Sequence, residues 1–262
     1  MKSNVRNFLY DHPEYYESVY LEPDEETPQM CRRMFARYLA SPPSSILDLG
    51  CGTGRDLAAL SRDCPDCWGV DYLETMIRYA RSKHPALHFQ DGDMRAVRLQ
   101  RCFDAILCMG SAFMYALTNE DVDQVLDTFV LHAHSGTLLI LDLNNAAGYL
   151  GGGTFKERTE YAVDRTAFSA SSIALHGFDR RRQLLVRRRT WSIPGSPPIE
   201  DFCEYRLFFP AELEHLLNTK GFRVLGMFDN KDLRETDLSG PRLYVAATRM
   251  LPDPKAGQPQ GH

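Results

Sequence analysis

A glycine-rich turn between an apolar run and a helical pattern most constrains how this chain can fold. The run Ser45–Leu49 is short and apolar, and it stops at a Gly-x-Gly-x-Gly pattern over residues 50–54. Leu57 and Leu60 then begin a helical pattern. Because glycine adopts positive φ freely and lacks a Cβ, a ligand can approach such a backbone closely. The stretch predicts a strand, a tight turn and a helix whose first N–H groups are unpaired.

A second strand strengthens this interpretation. The run Trp68–Asp71 ends in an acid about twenty residues after the glycines, the spacing at which a carboxylate reaches ribose hydroxyls. The glycine spacing differs from the Gly-x-Gly-x-x-Gly of a dinucleotide fold. A purely structural turn and a nicotinamide enzyme remain the competing interpretations at this point.

The chain continues as an alternation of strands and helices. Leu87–Phe89, Phe103–Met109 and Thr137–Leu143 are further strand-like runs, and helical patterns separate them. Such alternation predicts a parallel sheet wrapped by helices, with ligands bound at the carboxyl ends of the strands. Polar residues follow these ends, as Asp93 and Asn144 do.

After residue 145 the pattern changes. We expect a flexible glycine-rich linker over 148–153, and then strand-like runs over 172–178, 183–193 and 199–209 that form an antiparallel lid. Pro210 begins a helix, and two last strands return to the core. The predicted fold class is α/β, a Rossmann-like doubly wound sheet, mostly parallel and seven-stranded, with an N-terminal helical cap and an inserted antiparallel β lid. The predicted segments are a cap (1–40), a cofactor-binding core (41–145), a lid (146–209), a C-terminal helix with two strands (210–250) and a disordered tail (251–262).

Composition narrows the function classes. The 262 residues carry a net charge of -5, which disfavours a general nucleic-acid-binding surface. We expect no membrane association and a cytoplasmic location, since no apolar run could span a bilayer and the N-terminus lacks a signal-peptide pattern. The 7 cysteines are scattered, which fits reduced thiols. Cys64 and Cys67 lack partners at zinc-site spacing, so no metal is expected.

Three motifs resemble one known family. Ile46–Gly54, Asp71 and the sequence Gly92-Asp93-Met94 resemble the cofactor motifs of class I S-adenosylmethionine-dependent methyltransferases. The resemblance covers about residues 40–145, and the spacing of Tyr16 and Tyr20 with Cys108-Met109 is most similar to a small-molecule branch that includes amino-sugar N-methyltransferases. It implies S-adenosyl-L-methionine as cofactor and S-adenosyl-L-homocysteine as product.

The resemblance also implies a cofactor site. The glycine turn would hold the methionine part with support from Asp48, Asp71 would hold the ribose, and Asp93 with the backbone N–H of Met94 would hold the adenine. Asp93 could instead form a turn or helix cap, and Tyr72 could be a surface residue. The predicted cofactor-binding residues are Asp48, Gly50, Gly52, Gly54, Asp71, Tyr72, Asp93, Met94, Cys108 and Tyr20.

Catalytic and acceptor-binding residues are expected in the cap, at the carboxyl ends of the strands and in the lid. The predicted catalytic residues are Tyr16, Tyr115 and His176, and the predicted substrate-binding residues are Met114, Asn144, Arg187 and Glu204. Tyr115 stands where some sugar-amine relatives have a histidine, which argues against general-base catalysis there. Alternation along a strand puts Arg187 and Arg189 on one face. The favoured interpretation of the arginine runs 180–182 and 187–189 is a solvated surface, and the alternative is an anion-binding site.

These observations predict a methyltransferase for a small-molecule acceptor. Amine nitrogen is favoured slightly over hydroxyl oxygen, because a neutral amine needs only alignment whereas a hydroxyl usually needs a base or a metal. Two alternatives stay open: a cofactor-binding sensor or pseudoenzyme whose lid recruits a partner, and an RNA or protein methyltransferase. We expect a monomer or homodimer that binds neither nucleic acid nor membrane.

Overall fold

A seven-stranded β-sheet with helices on both faces forms the core of this computed structural model, which describes residues 7–21, 25–151, 155–165 and 168–250. The helices are α1 (Phe8–Asp11), α2 (Pro13–Val19), α3 (Glu26–Tyr38), α4 (Arg55–Leu60), α5 (Glu74–Lys83), a 3-10 helix (Ala112–Tyr115), α6 (Asn119–Leu131), α7 (Ala146–Gly151) and α8 (Pro210–Thr219). The strands are β1 (Ser45–Leu49), β2 (Asp66–Asp71), β3 (His88–Asp91), β4 (Phe103–Cys108), β5 (Ala133–Asn144), β6 (Arg158–Asp164), β7 (Ser169–Asp179), β8 (Leu184–Ser192), β9 (Ile199–Arg206), β10 (Phe222–Phe228) and β11 (Arg242–Arg249).

The core sheet has the strand order β10-β11-β5-β4-β1-β2-β3. β1 pairs in parallel with β2 and β4, and the pairs β2–β3 and β4–β5 are also parallel. β11 is antiparallel to both of its neighbours. Parallel neighbours need crossover connections, which α4, α5 and α6 supply. The predicted doubly wound, mostly parallel sheet is confirmed.

Both faces of the sheet are covered, which explains the continuous apolar run of β1. Ile46 packs on one face with Met30 and Met34 of α3. Leu47 packs on the other face with residues of α6 and α8. The first turn of α6 has a capping box, in which Thr118 Oγ1 accepts from the backbone N–H of Asp121 at 3.0 Å. The contact of Met30 and Met34 with Ile46 means that α3, although it belongs to the predicted N-terminal cap, packs on the core sheet.

The expected flexible linker is wrong over residues 148–151, because α7 is helical there. Asn145 Oδ1 accepts from the backbone N–H of Ala147 at 3.1 Å at the start of this helix. A Cβ on Gly148 would lie 2.1 Å from the carbonyl oxygen of Gly240, so glycine serves close packing here and not flexibility. The remaining linker residues, and the predicted tail over 251–262, lie outside the described residues.

A second sheet, β6-β7-β8-β9, is entirely antiparallel and forms the predicted lid. Its first strand, β6, was not predicted, because the edge sequence Arg158–Asp164 is polar and mostly exposed. One face of this sheet packs on the N-terminal helices, where Leu9 of α1 and Trp191 of β8 are fully buried. The lid and the first two helices therefore form one layer beside the core sheet.

Three further findings concern the predicted absences. All seven cysteines are free thiols, and Cys64 and Cys67 are buried. The described part of the chain contains no group of three or more His, Cys, Asp or Glu residues arranged to hold a metal ion. Among the described helices, none combines the length and apolar character needed to cross a membrane.

Candidate active site

The glycine turn lies between the carboxyl ends of β1 and β2. Gly50, Gly52 and Gly54 have φ of 85°, 54° and 75°, which side chains disfavour. The backbone N–H groups of Gly50 and Cys51 both donate to the carbonyl of Val70, at 2.8 and 3.0 Å. A Cβ on Gly50 or Gly54 would collide with packed side chains, whereas one on Gly52 meets nothing within 4 Å. Gly52 thus faces open space, which is the place for a ligand.

Asp71, at the end of β2, lies against this turn. Its Oδ2 accepts from the Gly52 N–H at 2.8 Å, and its Oδ1 accepts from the Leu73 N–H at 2.9 Å. Burial raises the pKa of Asp71 even though these two hydrogen bonds oppose the shift. The structure therefore brings the two parts of the predicted nucleoside site together, and the carboxylate points toward the glycines.

Asp48 is a buried acid in the middle of β1. It is 2% exposed, and its Oδ1 has no hydrogen-bond partner among the described residues. Burial, followed by the charges of Asp56 and Asp71, raises the pKa of Asp48 well above its usual range. Buried polar atoms normally have partners, so the unpartnered Oδ1 makes Asp48 a candidate functional residue. A cationic ligand group at the turn would offset the cost of ionising Asp48.

Asp93 is engaged within the protein. Its carboxylate accepts from the Arg95 guanidinium at 2.6 Å, and Arg95 also bonds to Asp121 at 2.6 Å. Burial would raise the pKa of Asp93, but the hydrogen bonds and charge of Arg95 outweigh it and lower the pKa. The alternative prediction that Asp93 forms a turn also agrees with the structure, because Asp93 Oδ1 accepts from the Arg95 backbone N–H. An adenine contact of Asp93 stays a prediction.

The other predicted cofactor residues differ in exposure. Met94 is partly buried against the core, and Cys108 is fully buried at the end of β4. Tyr72 is 53% exposed. Tyr20 is exposed on the cap side, and its carbonyl accepts a hydrogen bond from Arg55. Their contacts with a cofactor remain predictions.

Tyrosines from the cap, the core and the lid form a continuous wall beside the turn, which we call the tyrosine wall. Tyr10 and Tyr115 share a hydrogen bond between their hydroxyls at 2.8 Å. The ring of Tyr10 lies 6.0 Å from that of Tyr16, and the ring of Tyr115 lies 5.2 Å from that of Tyr205. The Tyr16 ring also lies 4.8 Å from that of Tyr20.

The tyrosine wall begins at the glycine turn. The guanidinium carbon of Arg55, the residue directly after Gly54, lies 5.8 Å from the Tyr16 ring centroid. The wall therefore runs from the predicted cofactor site toward the lid. The structure brings the predicted residues Tyr16 and Tyr115 together through Tyr10. No site role was predicted for Tyr10, although its place in an aromatic-rich N-terminal segment was a signal.

The hydroxyls of this wall are neutral. Burial is the main cause that raises the pKa of Tyr10, Tyr16 and Tyr115 far above the usual tyrosine range. A neutral phenol can donate or accept a hydrogen bond, but it does not abstract a proton from a substrate at neutral pH. These hydroxyls can orient an acceptor and exclude water, which agrees with the doubt about a general base at Tyr115.

The lid contributes a basic pair at the far end of the wall. Arg187 on β8 lies opposite His176 on β7, and its guanidinium carbon is 5.5 Å from the Tyr205 ring. Burial, followed by the charge of Arg187, lowers the pKa of His176, so this imidazole is neutral at pH 7. The sequence predicted that the arginines of the run 187–189 are solvated. That prediction is wrong for Arg187, which is partly buried, and for Arg189, which is fully buried, and it is right for the exposed Arg188.

The structure does not bring Glu204 to this pair. Cys203 and Tyr205 lie on the inner face with Arg187, so alternation along β9 puts Glu204 on the other face. There its carboxylate pairs with Arg182 at 3.5 Å. Met114 is fully buried, and its sulfur accepts from the Asn144 N–H at 3.2 Å, so its role is packing.

Sequence reasoning missed Arg242, at the start of β11. It forms an ion pair with Asp142, and its Nη1 donates to Ser111 Oγ at 3.0 Å and to Asn144 Oδ1 at 2.6 Å. Asp142 also accepts from the Gly110 N–H at 3.1 Å. Gly110 and Ser111 both have positive φ, 59° and 69°. These contacts hold the strained loop that carries Tyr115, and they leave Asn144 engaged with protein groups.

The strand order, the glycine turn and the acid beside it together give the chain the fold of the class I methyltransferases. Residues 46–136 match a family model described as a methyltransferase domain. Over these residues, the resemblance predicted from the sequence is confirmed.

Individual proteins are similar to this chain as well. A dTDP-3-amino-3,4,6-trideoxy-alpha-D-glucopyranose N,N-dimethyltransferase of Streptomyces venezuelae is 29% identical over 50% of this chain and 56% of its own length. The chain spans about half the length of the curated relatives that it matches first, at 56% and 46%.

Two solved structures share the fold. An S-adenosylmethionine-dependent methyltransferase from Clostridium acetobutylicum has a TM-score of 0.77 at 16% identity, covering 92% of this chain and 98% of that one. The amino pentose methyltransferase CalS10 from Micromonospora echinaspora, solved with S-adenosylmethionine bound, has a TM-score of 0.71 at 18% identity, covering 95% and 100%.

Proposed function

We propose that this protein transfers a methyl group from S-adenosylmethionine to an amine of a small-molecule acceptor. The observation that carries the proposal is the buried, unpartnered Oδ1 of Asp48 in the strand that leads into the glycine turn, where Gly52 leaves space beside its backbone and Asp71 binds its N–H. S-adenosylmethionine is a positively charged amino acid joined to a nucleoside. It fits a site that combines a carboxyl oxygen without a partner, an accessible backbone and a second carboxylate. The methyltransferase domain over residues 46–136 supports the same choice.

The cofactor supplies a methyl group already activated on a positive sulfur, so the chain mainly has to bind and align. The glycine turn and Asp48 would hold the amino-acid part, and Asp71 would hold the sugar hydroxyls. The neutral hydroxyls of Tyr10, Tyr16 and Tyr115 would orient the acceptor and exclude water. The acceptor nitrogen must arrive deprotonated, because burial keeps these tyrosines from acting as bases.

An amine acceptor suits this set of groups better than a hydroxyl. A hydroxyl acceptor needs a base or a metal, and Tyr10, Tyr16 and Tyr115 are neutral phenols. His176 could accept a proton, but it lies opposite Arg187, at the end of the wall far from the glycine turn. The Streptomyces venezuelae relative is named as an N,N-dimethyltransferase and CalS10 as an amino pentose methyltransferase, which supports nitrogen and an amino sugar.

The alternatives receive less support. Of the arginines that would bind RNA, Arg189 is buried and Arg187 partly buried, so the exposed basic surface of the lid is smaller than the sequence suggested. A pseudoenzyme would bind the cofactor but would methylate no amine. A screen of amino sugars with the full chain distinguishes a pseudoenzyme from an active methyltransferase.

Titration of the demethylated product tests the proposal directly. We expect S-adenosylhomocysteine to bind the wild-type protein and to bind Asp71→Asn about 5- to 150-fold more weakly, since leaving a charged hydrogen bond unmade costs about 1–3 kcal/mol. Asp91→Asn is the matched control, because Asp91 is the register partner of Asp71 on β3 and is exposed. Equal affinities of the two variants would place the nucleoside elsewhere.

A further inference from the structure

Arg95 connects two acidic side chains that lie on different elements. Its Nη2 donates to Asp93 Oδ2 at 2.6 Å, and its Nη1 donates to Asp121 Oδ1 at 2.6 Å. Asp93 belongs to the loop after β3, and Asp121 belongs to the first turn of α6. The three side chains are 28%, 29% and 19% exposed for Asp93, Arg95 and Asp121. The guanidinium therefore forms a partly buried connection, which we call the Arg95 bridge, between the loop and the helix.

The loop end of the bridge lies beside the acid of the glycine turn, Asp71. The backbone N–H of Gly92 donates to the carbonyl of Asp71 at 2.9 Å, and Asp91 is the register partner of Asp71. Asp93 thus follows β3 at the edge of the sheet where β2 ends. Ligands of open α/β sheets bind at this edge. For a nucleoside whose sugar is held by Asp71, Asp93 is the next acid along the edge.

Arg95 holds the Asp93 carboxylate on one side and leaves one acceptor position open. Asp93 Oδ1 accepts from the Arg95 backbone N–H at 2.9 Å and from Arg95 Nε at 3.0 Å, and Oδ2 accepts from Nη2. A carboxylate has about four acceptor positions, so these three N–H groups leave roughly one for an external donor. Burial would raise the pKa of Asp93, but the hydrogen bonds and charge of Arg95 lower it. The ionised carboxylate can accept a hydrogen bond but cannot donate one.

Asp121 fixes the helix end of the bridge. Its Oδ2 accepts from the Thr118 N–H at 3.1 Å and from Thr118 Oγ1 at 2.8 Å, as part of the capping box of α6. Because Asp121 is itself held, the Arg95 guanidinium is held in one place, and this limits Asp93 to one orientation. Thr118 lies three residues after Tyr115, so the bridge also attaches the loop after β3 to the segment that carries this tyrosine.

We propose that Arg95 is a positioning residue that sets the Asp93 carboxylate to accept a hydrogen bond from the amino group of the cofactor's adenine, with Asp121 as the anchor. A guanidinium contacts a carboxylate as a planar fork, so it fixes a direction as well as a charge. This inference rests on the proposed function and adds a residue that determines which nucleobase the site prefers. A purine without the amino group would leave the open acceptor position of Asp93 unfilled.

Two ligands that differ at this amino group test the proposal by calorimetric titration of the full chain. The first is S-adenosylhomocysteine, and the second is its 6-deamino analogue, in which a hydrogen atom replaces the amino group. We expect the wild type to bind the first about 10- to 150-fold more tightly, which is the range for a hydrogen bond to a charged group. Asp93→Ala should remove most of this preference. Arg95→Met should narrow it about threefold or more, because residues of one hydrogen-bond network are coupled.

Arg98→Met is the matched control. Arg98 joins the same loop to the same helix, since its Nη1 donates to the Val97 carbonyl at 2.7 Å and to Thr128 Oγ1 at 2.9 Å. Both acceptors are neutral, and neither belongs to Asp93. Arg98→Met therefore loosens the loop but should keep the wild-type preference for the amino group. If Arg95→Met does not fold, Arg95→Lys keeps the charge without the planar fork and should narrow the preference as well.

Asp121→Asn tests the anchor. Asparagine keeps an oxygen for the Thr118 cap and removes the charge that holds Arg95. The variant should narrow the preference less than Arg95→Met does, and adding it to Arg95→Met should narrow the preference no further. Losses that add independently would overturn the role of Asp121 as the anchor.

The positioning role of Arg95 is overturned if Arg95→Met keeps the wild-type preference for the amino group, or if Arg98→Met narrows it equally. An unchanged preference in Asp93→Ala also overturns it, because the amino group would then lie elsewhere. These results leave the proposed function standing as long as S-adenosylhomocysteine binds the wild type. If S-adenosylhomocysteine does not bind the wild type, the proposed function fails, and the positioning role fails with it.

Discussion

Asp201 offers the sharpest test of how the lid holds the N-terminal helices. Its carboxylate accepts from the Phe8 backbone N–H at 2.6 Å, from the Arg189 guanidinium at 2.5 Å and from Trp191 Nε1 at 2.8 Å. The Asp201 side chain is 1% exposed and that of Arg189 is 8% exposed. Asp201→Ala would leave two buried N–H donors without an acceptor and a buried cation without its anion, with Asn7 Oδ1 as the remaining acceptor of Arg189.

The expected cost follows from that burial. Removing one partner of a buried ion pair destabilises a protein by about 3–5 kcal/mol. For a chain of this size, each kcal/mol lowers the Tm by roughly 2–4 °C, so we expect a fall of about 6–20 °C. Urea unfolding followed by circular dichroism, with the thermal midpoint as a second readout, measures both quantities.

A surface pair in the same sheet provides the control. Arg158 and Glu160 are as close, at 2.6 Å, but their side chains are 56% and 67% exposed. Glu160→Ala should therefore change the free energy of unfolding by no more than about 0.5 kcal/mol. If Asp201→Ala cost no more than Glu160→Ala, the burial argument would be refuted. The double variant Arg189→Met with Asp201→Leu should recover the part of the loss that comes from the buried cation, while the Phe8 and Trp191 N–H groups stay without an acceptor.

Two further predictions concern the candidate active site. The folded state raises the pKa of Asp48, so the contribution of this carboxyl to stability is present at acidic pH and is lost as the pH rises toward that pKa. Asp48→Asn should therefore raise the Tm of the ligand-free protein, and should raise it more at pH 8 than at pH 5. The same variant should bind S-adenosylhomocysteine more weakly. A Tm gain that does not grow with pH would contradict this assignment. Tyr16→Phe should lower kcat for an identified amine more than it lowers S-adenosylhomocysteine affinity, and unchanged kinetics would assign Tyr16 to packing.

Much of the core could be predicted because local patterns and tertiary packing agree there. The apolar run of β1 and the glycine turn each specify local backbone, and the sheet contains both as expected. The register that brings Asp71 to Gly52 also follows from parallel pairing of two short strands.

The errors arise where distant segments decide the outcome. Gly148 was interpreted as flexible because its close contact with Gly240 is invisible in a local window. Arg242 was missed because its partners come from β5 and from the loop after β4, far away in the chain. The contrast between Arg187 and Arg189 depends on which strand of the lid carries the acid, and Asp201 supplies it to one of them only.

A crystal structure of the full chain with S-adenosylhomocysteine tests the central claim most directly. The account predicts the amino-acid part over Gly50–Gly54 near Asp48, the sugar hydroxyls within hydrogen-bond distance of the Asp71 carboxylate, and the sulfur open toward Tyr16 and Tyr115. A ligand bound away from this turn, or an Asp71 carboxylate without contact to the sugar, would contradict it.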